Sequence, residues 1–256
     1  MPELLISDRD SVRTLTLNRP DKRNALNDAL IGSLEEALAK AGEDDSLRAI
    51  VIRGAGNDFC SGADLESIKR LADASYEENL ADARRLMELF RLIRATPIPV
   101  IAVVRGRALA GGAGLATACD LVLAARSARF GYPEVKIGFV PAMVMALLRR
   151  NIGEKHAFEL STMGFEFTAE RAFEFGLVNR VFDDSTFDAE VADFVSVYTR
   201  VSRPAVLMTK RLLYRMDNLG FDEALLAGAE VNADARTTED CKRGIAKFLK
   251  KGLEPR

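Results

Sequence analysis

Five apolar residues in a row, Val100-Ile101-Ala102-Val103-Val104, follow Pro97 and Pro99 and end just before Gly106. A strand with one face in water alternates apolar and polar residues. A run without any polar interruption needs cover on both faces, as in a parallel sheet sandwiched by helices. The chain that contains this strand must therefore also supply the helices that bury it.

The flanking sequence reads that way. Leu4 to Ile6 and Val12 to Leu17, separated by the polar Ser7-Asp8-Arg9-Asp10, predict a hairpin. Asn27 is placed to cap a helix running to about Ala41, with Gly42 just beyond. Ala49 to Ile52 predicts a short buried strand that ends in the turn-rich Gly54-Ala55-Gly56-Asn57. Helices are expected from near Ala63 to Leu71 and from Tyr76 to Ala95, the second with Leu80, Ala83, Met87, Phe90 and Ile93 at near-helical spacing. Gly106 to Gly114 reads as a glycine-rich bend into a helix, and Leu121 to Ala124 as a further strand. From about Ala142 the chain reads as helical, with one short strand at Leu177 to Val181. Strands alternating with helices, then helices alone, indicate an α/β core followed by a helical region. The division is expected at 195/196, with residues 1–195 as core and 196–256 as helical appendage. The clearest polar break is Phe182-Asp183-Asp184-Ser185, and no close internal repeat is visible.

Charge and cysteines narrow the function classes. A formal net charge of -2 provides no basic field for nucleic acid, while a few local cations would still serve a phosphate-bearing small ligand. The N-terminal residues lack the basic leader and long apolar run of a signal peptide, and no stretch reaches the roughly 18 apolar residues of a membrane span, so a cytoplasmic location is expected. Cys60, Cys119 and Cys241 are widely spaced and form no metal-ligand pattern with the single His156. No metal is expected, and the thiols read as reduced bystanders.

Three segments carry possible chemistry. In Phe59-Cys60-Ser61-Gly62-Ala63-Asp64-Leu65 a strand gives way to small residues and then to a helix, whose free N–H groups can donate to an anion or a polarised carbonyl. Ala108-Leu109-Ala110-Gly111-Gly112-Ala113-Gly114-Leu115 repeats that arrangement after the buried strand. It has neither the spacing of a dinucleotide fingerprint nor the Gly-Lys-Ser/Thr of a P-loop. Each bend alone is also compatible with plain close packing. Two donors converging on one oxygen would make an oxyanion hole, where each donor is typically worth ~3 kcal/mol in the transition state. In Phe130-Gly131-Tyr132-Pro133-Glu134-Val135-Lys136-Ile137-Gly138 a glutamate stands among apolar and small residues, where burial would raise its pKa and suit it to proton transfer. An exposed helix-capping glutamate is the other reading of that segment.

Taken in order, Asn18-Arg19-Pro20 with Asn24-Ala25-Leu26, Ser61-Gly62-Ala63-Asp64-Leu65, Pro99-Val100-Ile101-Ala102-Val103 leading to Ala110-Gly111-Gly112, Ala118-Cys119-Asp120, and Pro133-Glu134 with Ile137-Gly138 resemble the enoyl-CoA hydratase/isomerase (crotonase) family across nearly the whole chain. The resemblance implies a spiral of ββα units with a helical C-terminal region used in trimer assembly, the trimers often pairing into hexamers. It implies that the backbone N–H groups of Ala63 and Gly111 bind a thioester oxygen, with Asp64 and Leu65 of the same motif at the substrate. It also implies that Glu134 moves a proton on the acyl chain, and that Phe248 and Lys251 reach the CoA of a neighbouring subunit. Read from the sequence alone, the Phe248–Lys251 stretch is a solvated amphipathic helix end. No cofactor is expected beyond the coenzyme A that belongs to the substrate.

One position departs from the family pattern. Many hydratases carry a second glutamate where this chain has Gly114. The expected activity is hydration of a 2-enoyl-CoA to a 3-hydroxyacyl-CoA with Glu134 as acid and base. The alternative is Δ3–Δ2 enoyl-CoA isomerisation with Glu134 alone, and a third reading is a non-catalytic binder of CoA thioesters. No aspartate follows Glu134 among Phe139, Val140, Pro141 and Ala142, which argues against the dehalogenase and ring-isomerase chemistries of the family.

Overall fold

Strands of the computed structural model, which describes residues 1–252, form two sheets. β1 (Leu4–Arg9) and β2 (Val12–Leu17) are the expected hairpin, longer on its first arm because the turn is only Asp10-Ser11. Both turn residues have positive φ, 50° and 63°, the backbone a two-residue hairpin of matching twist requires. From β2 the large sheet continues in parallel through β3 (Ala49–Gly54), β4 (Val100–Val104), β6 (Leu121–Ala125) and β9 (Arg180–Phe182). Every residue of β4 is buried, as its unbroken apolar run predicts.

α1 (Asp28–Glu43) starts where expected, with the Asn27 side chain accepting from the Leu30 N–H. Gly42 lies inside this helix rather than past it, and the glycine is needed there because its bare Cα faces the Pro97 ring, 3.2 Å from where a Cβ would stand. α2 is Leu65–Ala72, and α3 (Tyr76–Ala95) opens on a reciprocal capping box between Ser75 and Glu78. α4 (Gly111–Ala118), α5 (Ala142–Asn151), α6 (Glu154–Met163) and α7 (Ala169–Phe175) follow.

The strand expected at Leu177 to Val181 begins only at Arg180. Gly176 is left-handed at φ 87°, and the N–H groups of Leu177 and Val178 turn back to the Ala172 carbonyl. Their apolar character serves the end of α7 instead of a strand. Three strands were not visible in the sequence: β5 (Arg107–Leu109), β7 (Arg129–Gly131) and β8 (Glu166–Thr168), which form the small sheet. Three residues are too few for a period to show.

The two sheets are built by one repeating path. β4, β5 and α4 make one turn, and β6, β7 and α5 the next. Earlier turns follow the same route with single bridges in place of small-sheet strands. β2 is followed by Leu26 and α1, and β3 by Cys60 to Ala63 and α2, with Leu26 bridged to Ala63 and Cys60 to Ala108. The repeat is structural and leaves no repeated sequence.

Two compact units divide the chain, Met1–Ser196 and Val197–Arg256. The polar stretch at 182–185 is no boundary, since Asp183 accepts from Arg126 at 2.7 Å and Asp184 from the Ser127 N–H at 3.1 Å. The division falls within α8 (Phe187–Arg200). The second unit holds the last turn of α8 with α9 (Arg203–Met216), α10 (Phe221–Thr237) and α11 (Glu239–Gly252). Among the described residues, no helix is long and apolar enough to cross a membrane.

Candidate active site

The turns of the path bring corresponding positions side by side. Ala63, Gly111 and Glu134 each come two or three residues after the small-sheet position of their turn, Cys60, Leu109 and Gly131. Those positions are neighbours: the Leu109 N–H donates to the Cys60 carbonyl at 2.9 Å, and the Ala110 N–H to the Gly131 carbonyl at 2.8 Å.

The direction of the Ala63 N–H follows from its neighbours. The Leu26 N–H donates to the Gly62 carbonyl, and the Asp64 N–H donates to the Leu26 carbonyl. In a parallel bridge this turns the groups of the residue between them, Ala63, to the opposite side. Gly62 itself lies against Ala110 and Gly111. A Cβ on Gly62 would stand 2.9 Å from the Ala110 Cβ and 3.3 Å from the Gly111 nitrogen, and its φ of 97° excludes other residues. On Gly112 a Cβ would stand 2.2 Å from the Cys60 carbonyl oxygen. Gly62 and Gly112 are there because two backbones touch.

Ala110 adopts φ 49°, ψ -125°, a conformation costing of order 1–3 kcal/mol outside glycine. It sits at the N-cap of α4 and fixes the direction of the next peptide. The Gly111 N–H is at the first helical position, where no intrahelical acceptor exists. Neither it nor the Ala63 N–H takes part in a backbone hydrogen bond among the described residues. Two donors on touching bends, one of them at a helix N-terminus, can stabilise negative charge on an oxygen.

Asp64 is buried, with one oxygen on the Arg19 guanidinium at 2.8 Å and the other on the Glu66 N–H at 2.9 Å. Burial opposes its ionisation, but the Glu66 N–H and Arg19 hold the carboxyl below the usual carboxylate range. Both oxygens are thus engaged by the protein, so in this structure the side chain braces the bend that carries Ala63. Leu65 starts α2, and its side chain lies outside the described residues.

Glu134 is the second residue of a short 3-10 helix, Pro133–Ile137, which Gly138 closes in the left-handed region. Only 9% of it is exposed. Its Oε2 is buried without a hydrogen-bond partner, and burial pushes its pKa up against the opposing effect of its own backbone N–H. A carboxyl so placed is suited to carry a proton. The exposed-cap reading of this residue is therefore set aside.

At Gly114 the space a side chain would need is filled. A Cβ there would stand 2.8 Å from Val144 Cγ2 of α5 and 2.9 Å from Phe90 Cζ of α3, both residues being buried. The thiols stand apart from this chemistry, and the Cys60 thiol is pushed up to about 12 by burial. Phe248 lies in α11 and is 78% exposed, while the side chain of Lys251 in the same helix lies outside the described residues.

Sequence reading gave no role to Arg19 or Asn24. Asn24 is fully buried at φ 55°, accepts from the Arg19 N–H, and donates to the carbonyls of Ala55 and Asp58. This network ties the loop after β2 to the bend after β3. The signal available was the Asn-rich motif itself, whose buried polar groups must be satisfied from within.

Comparison with known proteins gives the family. The family model described as enoyl-CoA hydratase/isomerase matches residues 7–255. The chain is 35% identical over 252 residues to the 2,3-dehydroadipyl-CoA hydratase of Escherichia coli strain K12, covering 98% of this chain and 97% of that one. The crystal structure of an enoyl-CoA hydratase from Mycobacterium smegmatis superimposes with a TM-score of 0.94 at 36% identity, covering 98% and 97%. One from Polaromonas sp. JS666 does so with a TM-score of 0.92 at 28% identity and 97% coverage of each.

Proposed function

The chain belongs to the enoyl-CoA hydratase/isomerase family and has the crotonase fold, and on that footing we propose that it hydrates a 2-enoyl-CoA to a 3-hydroxyacyl-CoA. The observation that carries the reading is the buried Glu134 carboxyl, whose Oε2 has no hydrogen-bond partner, on the turn of the spiral next to that of the free Gly111 N–H. The thioester oxygen accepts from the Ala63 and Gly111 N–H groups. Glu134 takes a proton from water as the water oxygen bonds to C3. The electron pair of the double bond moves toward the thioester, and the resulting enolate is held by the two donors. The proton then passes from Glu134 to C2, so one water is added and the carboxylate is regenerated.

A second reading is favoured by Gly114. Phe90 and Val144 occupy the space beside it, so position 114 supplies no second carboxylate. A lone Glu134 is sufficient for Δ3–Δ2 isomerisation, in which it moves one proton from C2 to C4. Incubation with crotonyl-CoA distinguishes the two. Loss of the conjugated thioester absorbance supports hydration, and an unchanged spectrum with turnover of a 3-enoyl-CoA supports isomerisation. Thermal stabilisation by CoA thioesters without turnover of either would support the binder reading.

We also propose that the protein works as a trimer or hexamer. The support is the second unit, where Phe221, Leu225, Leu226 and Phe248 are 59% to 79% exposed. Such a concentration of large apolar surface is characteristic of an interface.

A further inference from the structure

The Oε2 of Glu134 has no hydrogen-bond partner, so the placement of the carboxyl relative to the Gly111 N–H depends on the backbone that carries it, residues 131–134. That backbone leaves the ladder between β5 and β7 at Gly131, whose carbonyl accepts from the Ala110 N–H of the oxyanion bend. The end of a ladder is a pivot for the segment beyond it. A second tie, displaced along α4, would remove the rotation.

Tyr132 supplies it. Its ring is fully buried, 6.3 Å from Phe167 between centroids, with Phe130 on the other contact of that ring at 6.0 Å. Packing in such an aromatic cluster needs only a phenyl ring. The hydroxyl is an additional polar group in the core, and it would be costly there without a partner. It meets Thr117 of α4 at 2.9 Å. The Thr117 hydroxyl proton is committed to the Ala113 carbonyl at 2.7 Å, so Tyr132 is the donor and Thr117 the acceptor. Thr117 lies six residues beyond Gly111 in the same helix, ~9 Å along its axis. The two ties thus grip the Glu134 segment at separated points of the element whose first N–H is the oxyanion donor.

We infer that the Tyr132–Thr117 hydrogen bond is a positioning pair that fixes the acid–base carboxyl of Glu134 in register with the Gly111 N–H. The inference rests on the proposed role of Glu134. Neither residue touches the reacting atoms. Both act through the placement of Glu134, and an error of about 1 Å in such placement can cost up to ~100-fold in rate.

The test is a double-mutant cycle on the full-length protein with crotonyl-CoA, or with a 3-enoyl-CoA if isomerisation is the activity found. Tyr132→Phe and Thr117→Val should each lower kcat by ~10–100-fold, with KM within about twofold, since uniform substrate binding is untouched. The double variant should be no slower than the slower single one, because both remove the same bond. Thr117→Ser keeps the hydroxyl and should keep kcat. A structural role alone would lower the melting temperature and leave the kcat of the folded protein unchanged. Wild-type kcat in Tyr132→Phe overturns the inference, as does multiplication of the two single losses or a loss confined to KM. If Thr117→Val does not fold, Thr117→Ala replaces it in the cycle. Glu134→Gln is measured alongside. Full turnover there would defeat the proposed role of Glu134 itself. Lost turnover there with normal turnover in Tyr132→Phe would defeat only the positioning pair.

Discussion

α4 and the helices α9 to α11 share a secondary structure and have opposite surroundings. Seven of the eight residues of α4 are buried, all of them small except Leu115 and Thr117. Among the described residues of α9 to α11, only Lys210 and Ala227 are buried, while Phe221, Leu225, Leu226, Ile245, Phe248 and Leu249 stand exposed. Burial here does not track the size of the apolar side chain. α4 is enclosed because glycine and alanine let backbones close in from several sides, and that closeness also brings Ala63 and Gly111 together. The tail carries larger apolar groups whose partners, in the proposed assembly, belong to other copies of the chain. One region is enclosed within the chain, and the other leaves its large apolar groups exposed.

The largest effect should come from the enclosed region. Glu134→Gln keeps the shape of the side chain and loses its proton chemistry, so kcat should fall by about 10²–10⁴-fold with substrate affinity little changed. The wild-type activity should also fall on the acid side at a pH above the ordinary glutamate range, because burial raises the Glu134 pKa and a base must be ionised to act. An acid limb in or below the ordinary range would show that Glu134 is solvated in the working enzyme, which removes the enclosure on which the contrast rests.

Next in size is Gly112→Ala. Its methyl would overlap the Cys60 carbonyl, 2.2 Å away, and backbone cannot step aside as a side chain can. A loss of about 3 kcal/mol or more is expected in denaturant unfolding. Near-normal stability would mean that the two bends are looser than the structure has them.

In the tail, Leu225→Glu with Leu226→Glu should leave the fold of the first unit intact by circular dichroism and split the assembly, read as a lower mass in light scattering. An unchanged mass would show that these residues are not an interface. A wild-type protein that is monomeric and fully active would end the proposed assembly outright.

The smallest effect sharpens the contrast most directly, since it repeats one substitution in the other region. Gly244 lies within α11, and a methyl added to it would meet nothing within 4 Å. Gly244→Ala should therefore stabilise by about 0.5–1 kcal/mol through helix propensity. A loss of stability there would mean that the tail, too, is closely covered in the assembled protein.

By itself the sequence determined most of the longer elements and pointed to the candidate site residues. The unbroken run at Val100–Val104 required a covered strand, Asn27 marked a helix start, and the ordered motifs singled out Ala63, Gly111 and Glu134. Those signals are local: an apolar period, a cap, a bend. The tertiary structure alone decided that Ala63 and Gly111 lie on touching bends, that Phe90 and Val144 fill the space beside Gly114, and that Tyr132 reaches Thr117. The small sheet that brings the bends together has strands of three residues and single bridges, too short to carry a period. Contacts between turns of the spiral join residues tens of positions apart, such as Leu26 with Ala63 and Cys60 with Ala108. No local pattern encodes such a pairing, because it is fixed only when the strands of successive turns have found their register in the sheet.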